Sequence, residues 1–206
     1  MIPGVAFCLR SVNLVFMRFQ TSTASPPRTF QFSREKLAEA VHYVCANTPS
    51  DQLGNVKLHK ILYFSDMFTY LELGQPITGV EYIKQKFGPT ARHLAATVAS
   101  LETSGILKVS REEYFGYWKK SYTCRTGYVR SALSEKETAV LDKFIATVAS
   151  LSATEVSEIS HDAAWESVPF GEVIPYSSIF RVIAPEIDES DIAWGDEIAS
   201  RYAAAN

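Results

Sequence analysis

Ser160, His161 and Asp162, with Trp165 three residues beyond, form the segment in which side chains come closest to the pattern of a reacting centre. An imidazole next to a carboxylate reads as a general base with its orienting acid. The competing reading is structural: His161 closes a short helix, whose dipole favours a cation there, and Trp165 plugs the core. The structural reading is preferred because no plausible nucleophile accompanies the pair in sequence. The other histidines, His42, His59 and His93, stand in no metal-ligand spacing such as H-E-x-x-H. Cys8, Cys45 and Cys124 are odd in number and widely spaced. They read as free thiols in a reducing, cytoplasmic compartment, with Cys45 as a small core hydrophobe beside Val41 and Val44. Gly88-Pro89 reads as a turn, and no phosphate-binding glycine loop occurs. The expectation is a protein without metal, cofactor or catalytic residues.

Charge supplies the remaining candidates. Lys57, Lys60 and Asp66 interrupt an otherwise apolar helical stretch. Charges in such a setting ordinarily line an exposed strip; the sharper reading makes them, with Tyr63, a paired or partner-facing set. Nine cations crowd the chain between Lys84 and Arg130 against three acids, whereas from Glu135 onward fourteen acids face four cations. Blocks of this kind steer an oppositely charged partner or neutralise each other across the fold. Lys119, Lys120 and Arg125 among dense aromatics also fit a winged-helix nucleic-acid binder. The pI near 5.8 speaks against that reading.

The elements that must position these groups follow from periodicity. Ser33 caps a helix with Leu37, Val41, Val44 and Cys45 on its apolar side. The stretch 56–73 is apolar around most of its circumference, which predicts a central helix ended by Gly74. Residues 80–87 alternate like a strand, and Gly88-Pro89 is expected to open the next helix, closed by Gly105. Residues 106–109 and 117–124 read as a β-hairpin. Ser134 to Glu137 and Ser152 to Glu155 are capping boxes opening two further helices, the second ending at His161. A last helix is expected from Asp188, with Trp194, Ile198 and Tyr202 on one face. The predicted fold is mainly α with a small antiparallel sheet or hairpin. No uncharged apolar run approaches the roughly 20 residues of a membrane span.

Two blocks in this order carry a family resemblance. The first is Lys57-Leu-His-Lys-Ile-Leu-Tyr-Phe-Ser-Asp66, then the turn at Gly74 to Gly79, then Lys86-Phe-Gly-Pro89. The second is Ser160 to Trp165 followed by Gly171-Glu-Val-Ile-Pro-Tyr176. Together they resemble the Panacea, or SocA-like, antitoxin domain of bacterial and phage toxin–antitoxin pairs, over roughly 32–180. The resemblance implies a cytoplasmic binding protein that neutralises a cognate toxin, by sequestration or as an adaptor to a protease. It marks Gly88, Pro89, His161 and Trp165 as structural signatures. Candidate toxin contacts are Lys57, Lys60, Tyr63, Asp66, Lys119 and Lys120. The domain is expected over 31–182, with an acidic helical extension over 183–206. Residues 1–30 form an arm with three readings: a targeting peptide, a start placed too far upstream of Met17, or a partner-binding segment.

Overall fold

The computed structural model describes residues 30–114, 117–183 and 193. The expected arm, the helix from Asp188 and Cys8 lie outside the described residues, Phe30 and Ala193 excepted. Among the described residues there are seven α-helices, one three-stranded antiparallel sheet and one two-stranded hairpin. The expected α+β class is therefore met.

Helix α1 (Arg34–Asn47) starts where Ser33 Oγ accepts the Lys36 N–H at 3.1 Å. Its buried side is Leu37, Ala40, Val41, Val44 and Cys45. Helix α2 (Asn55–Leu73) runs through the middle of the core, with Leu58 and Ile61 fully buried and Leu62, Phe64, Met67 and Phe68 nearly so. Gly74 ends it in the left-handed region at φ 71°, donating to Tyr70 O at 2.8 Å.

The strand expected over 80–87 contracts to β1 (Tyr82–Ile83). It lies between β2 (Thr90–Ala91) and β5 (Val173–Ile174), so that Tyr82 faces Ala91 on one side and Ile174 on the other. Gly88-Pro89 leads into β2, and helix α3 (Leu94–Thr103) begins only at Leu94. The Pro89 carbonyl is needed elsewhere, as described below. Strands β3 (Leu107–Tyr114) and β4 (Tyr117–Cys124) pair over eight residues, a longer hairpin than alternation indicated. Its base is buried at Leu107 and Tyr122, and the Tyr122 hydroxyl donates to Asn55 at 2.8 Å.

Helices α4 (Glu135–Ala149) and α5 (Ala153–Ile159) open with the two expected capping boxes. Each cap is worth about 1 kcal/mol. Phe144 of α4 packs on Phe64 and Phe68, closing the core over α2. Glu137 also takes the Lys36 ammonium at 2.7 Å, which ties the start of α4 to α1. Helix α6 (Ala163–Glu166), β5, a 3-10 turn (Tyr176–Ser178) and α7 (Ile179–Ile183) complete the domain.

Candidate functional site

The expectation that Lys57, Lys60 and Asp66 line an exposed strip is overturned for Lys60 and Asp66. Lys60 and Asp66 are each 1% exposed and Tyr63 is fully buried. In this conformation none of the three offers a surface to a docking protein, so charge reversal at Lys60 tests folding, not binding. The reason is topological: every residue of α2 from Lys60 to Thr69 is buried, leaving no solvent face for a charge on that stretch.

Two polar nodes result. In the first, Lys60 Nζ donates to Pro89 O at 2.7 Å. Gly88 sits against the same ammonium at φ +85°; a Cβ there would lie 2.8 Å from Lys60 Nζ and 2.2 Å from Ser160 Oγ. Only glycine fits, by backbone angle and by space. Burial lowers the Lys60 pKa from 10.5 to about 7, opposed by the charge of Asp162. Asp162 caps α6 by accepting the Trp165 N–H at 2.9 Å. Burial raises its carboxyl to about 6 despite hydrogen bonds from the Trp165 and Ala164 backbone and the approach of the Tyr63 hydroxyl. The Tyr63 hydroxyl is close enough to feel the Asp162 charge but has no partner in hydrogen-bond geometry.

His161 stacks on Trp165 with centroids 4.2 Å apart, and its Nε2 is buried without a hydrogen-bond partner. Burial first, then Lys60, lowers its pKa. The expected dipole-favoured cation is thus replaced by a ring that prefers to be neutral. Trp165 is itself held from both sides: Nε1 donates to Gln85 O at 3.3 Å, and Lys84 Nζ lies 4.0 Å from its ring centroid. His161 and Asp162 share no hydrogen bond, and each is engaged with other partners. Neighbouring His59 is also neutral, lowered to about 3 by burial, Lys60 and Lys120; its Nδ1 accepts the Ala91 N–H at 3.0 Å.

In the second node Asp66 accepts Thr78 N at 2.8 Å, Thr78 Oγ1 at 2.5 Å and Tyr82 Oη at 2.8 Å. Tyr176 donates to Val80 O at 2.7 Å and stands 3.3 Å from the same carboxylate. Burial raises the Asp66 pKa while these donors pull it down. The node fastens the 74–80 turn and the chain after β5 to α2. A third carboxylate, Glu39, pins the loop before α4 through Ser131, Ala132 and Tyr128. Burial raises its pKa, but the donors prevail and hold it at about 2.

The remaining sequence candidates lie elsewhere. Lys57 is half-buried and donates to Ala149 O at 3.1 Å. Lys120 is half-buried and directly opposite Arg111 across the hairpin, while Lys119 is opposite Glu112. Trp118, 71% exposed, stands near the hairpin tip. Lys60, Gly88, Pro89, His161 and Trp165 therefore converge, whereas Lys57, Lys119 and Lys120 do not join them. Ser160 and Asp162, read in sequence only as neighbours of His161, join this node, and Tyr176, read only as part of the second block, joins the Asp66 node. Their clue was the position of serine, aspartate and tyrosine inside the second block, next to its histidine and tryptophan.

An α+β domain threaded on one buried helix, whose ionisable groups are used to bolt distant segments together, is the class these features define. Residues 58–166 match the family described as Antitoxin SocA-like, Panacea domain. That is more than half of the 206-residue chain, and the chain belongs to this family. No curated protein and no solved structure matches it.

Proposed function

We propose that this protein is a cytoplasmic antitoxin that binds and neutralises a cognate toxin protein without catalysing a reaction. The observation that carries this reading is family membership over 58–166, the span holding the whole Lys60–His161 node. The node supports a structural use of the signature residues: they bond to backbone carbonyls, stack and cap, and Lys60 is almost wholly shielded from solvent. No helix among the described residues is long and apolar enough to cross a membrane. The domain spans 31–182, and the segments 1–30 and 183–206 supply partner-specific contacts.

The test is co-expression with the product of the neighbouring reading frame. Growth rescue and copurification are expected; a neighbour that is not toxic, or that is neither bound nor neutralised, defeats the proposal. His161→Gln should still protect cells while folded. Protection lost with folding and toxin binding intact would falsify the binding-only account and restore His161 as a base. Toxin abundance in the rescued cells separates sequestration, which leaves the toxin level unchanged, from delivery to a protease, which lowers it.

One observation favours a second reading, a regulatory nucleic-acid module. Arg111 opposite Lys120 is a like-charged cross-strand pair with exposed Trp118 two residues along the same face of β4. Cations beside an open aromatic suit phosphate contact and base stacking. Retardation of the operon's own promoter fragment, falling steeply with salt, would support it.

A further inference from the structure

We infer that the outer half of the β3–β4 hairpin is where the toxin docks, and that the toxin presents an extended, acidic segment to it. This rests on the antitoxin reading. Strand register decides which side chains share a face. Leu107, Val109, Arg111 and Glu113 alternate to one side of β3, and their partners Cys124, Tyr122, Lys120 and Trp118 stand on the same side of β4. At the base this face is core, with Leu107 and Tyr122 buried. Farther out it is open: Arg111, Glu113 and Trp118 are exposed and Lys120 is half-buried. A face that begins as core and ends open, with tryptophan and arginine at its outer end, has the make-up of an interface anchor.

Charge sets the partner's chemistry. Arg111 and Lys120 stand directly opposite each other, and like charges in that position repel. Among the described residues neither takes part in an ion pair. His59, within reach of the Lys120 charge, is neutral and does not balance it. A carboxylate set between the two cations removes the repulsion and meets donors on both sides.

Backbone geometry favours a polypeptide over a nucleic acid. Arg125 N donates to Ile106 O at 2.9 Å, so the even-numbered residues of β3 turn their backbone groups toward β4 and the odd-numbered ones turn them outward. Glu102 Oε1 already accepts the outward N–H of Val109 at 3.0 Å, which shows a carboxylate seated on this edge. The next outward N–H belongs to Arg111, and among the described residues no further strand pairs with β3. An open strand edge beside two cations takes the main chain and an acidic side chain of one extended segment. A phosphate backbone would instead meet Glu113 on the same face, and a pI near 5.8 is low for a nucleic-acid binder. Both strands lie inside the family-matched residues 58–166, so this contact belongs to the shared domain.

The experiment measures the affinity and association rate of the full chain for the purified product of the neighbouring reading frame, with a melting curve for every variant. Trp118→Ala and Arg111→Glu should each weaken binding about tenfold or more at near-native melting temperature. Arg111→Glu should also slow association. Arg111→Ala separates binding from folding: it relieves the cross-strand repulsion, so affinity should fall while the melting temperature holds or rises. Replacing the toxin's acids by Lys one at a time should find one whose lost affinity is restored by Arg111→Glu. Wild-type affinity in the Trp118 and Arg111 variants overturns the inference and leaves the antitoxin reading standing. Failure of every toxin acid to show rescue overturns it too, by removing the acidic segment. Unchanged toxin affinity with lost retardation of the promoter fragment assigns the hairpin to nucleic acid, and unchanged toxin affinity with lost self-association assigns it to a second copy; either result overturns the inference. A wild-type chain that does not bind sinks the antitoxin reading itself.

Discussion

Helix α2 buries a charge on two sides and treats them differently. Asp66 is surrounded by donors, with Thr78 N, Thr78 Oγ1 and Tyr82 Oη all within 2.8 Å. Lys60, six residues earlier, has the Pro89 carbonyl, while the nearby Tyr63 hydroxyl and His161 Nε2 have no partner in hydrogen-bond geometry. A charge whose hydrogen-bonding capacity is filled becomes a fastener, because removing it orphans every donor around it. A charge that is only partly satisfied stays close to losing its proton. The same helix thus holds a fully bonded clamp and a partly bonded one.

The largest effect that sharpens this contrast is Asp66→Ala. It leaves three buried donors unsatisfied, at about 1–3 kcal/mol each, and should remove most of the stability in urea unfolding. A loss below about 1 kcal/mol would break the comparison. Next comes Gly88→Ala, which forces a side chain into the left-handed region against Ser160 and Lys60. It should cost more than the roughly 1–3 kcal/mol of the backbone strain alone, measured by the same unfolding curves.

Two tyrosines give a matched pair. Tyr63 and Tyr82 are both fully buried and meet edge to face at 5.2 Å. Tyr82→Phe removes a donor to a carboxylate and should destabilise by about 1.5–3 kcal/mol. Tyr63→Phe removes a hydroxyl that approaches Asp162 outside hydrogen-bond geometry and should change stability by less than about 1 kcal/mol. Equal losses at the two sites would erase the distinction between the nodes.

A further contrast lies in pH dependence. Lys60 is lowered from 10.5 to about 7, so between those values the unfolded state holds the proton and the folded state does not. Stability from this group therefore rises with pH across that window. Asp162 is raised from 3.8 to about 6, so the folded state holds more protons there and stability falls as pH rises through that range. The node should be at its weakest between about pH 6 and 7. In Lys60→Met the alkaline limb should flatten while the acid limb remains; melting temperatures from pH 4 to 10 check both.

Much of the local architecture was legible in the chain. The caps at Ser33, Ser134 and Ser152 and the helix end at Gly74 form as the sequence indicates, because each depends on groups three or four residues apart. The all-round apolar character of 56–73 likewise pointed to a central helix. The same character leaves no exposed strip for Lys60 and Asp66, where the general preference of charges for solvent points the other way. Strands of two residues, such as Tyr82–Ile83, are too short for alternation to define. The family blocks brought Lys60, Gly88 and His161 to attention without showing that they touch.

What the amino-acid sequence determined by itself was the five longer helices, the ends set by local caps and the family, all written in neighbouring residues or in short blocks. Only the tertiary structure decided what the signature residues do. Lys60, Gly88 and Ser160 lie up to a hundred positions apart in the chain, and their contact depends on α2, the 84–89 segment and the end of α5 packing together. Periodicity reports which face of a segment is apolar, but the partner of a buried polar group is set by whichever distant segment the fold brings against it.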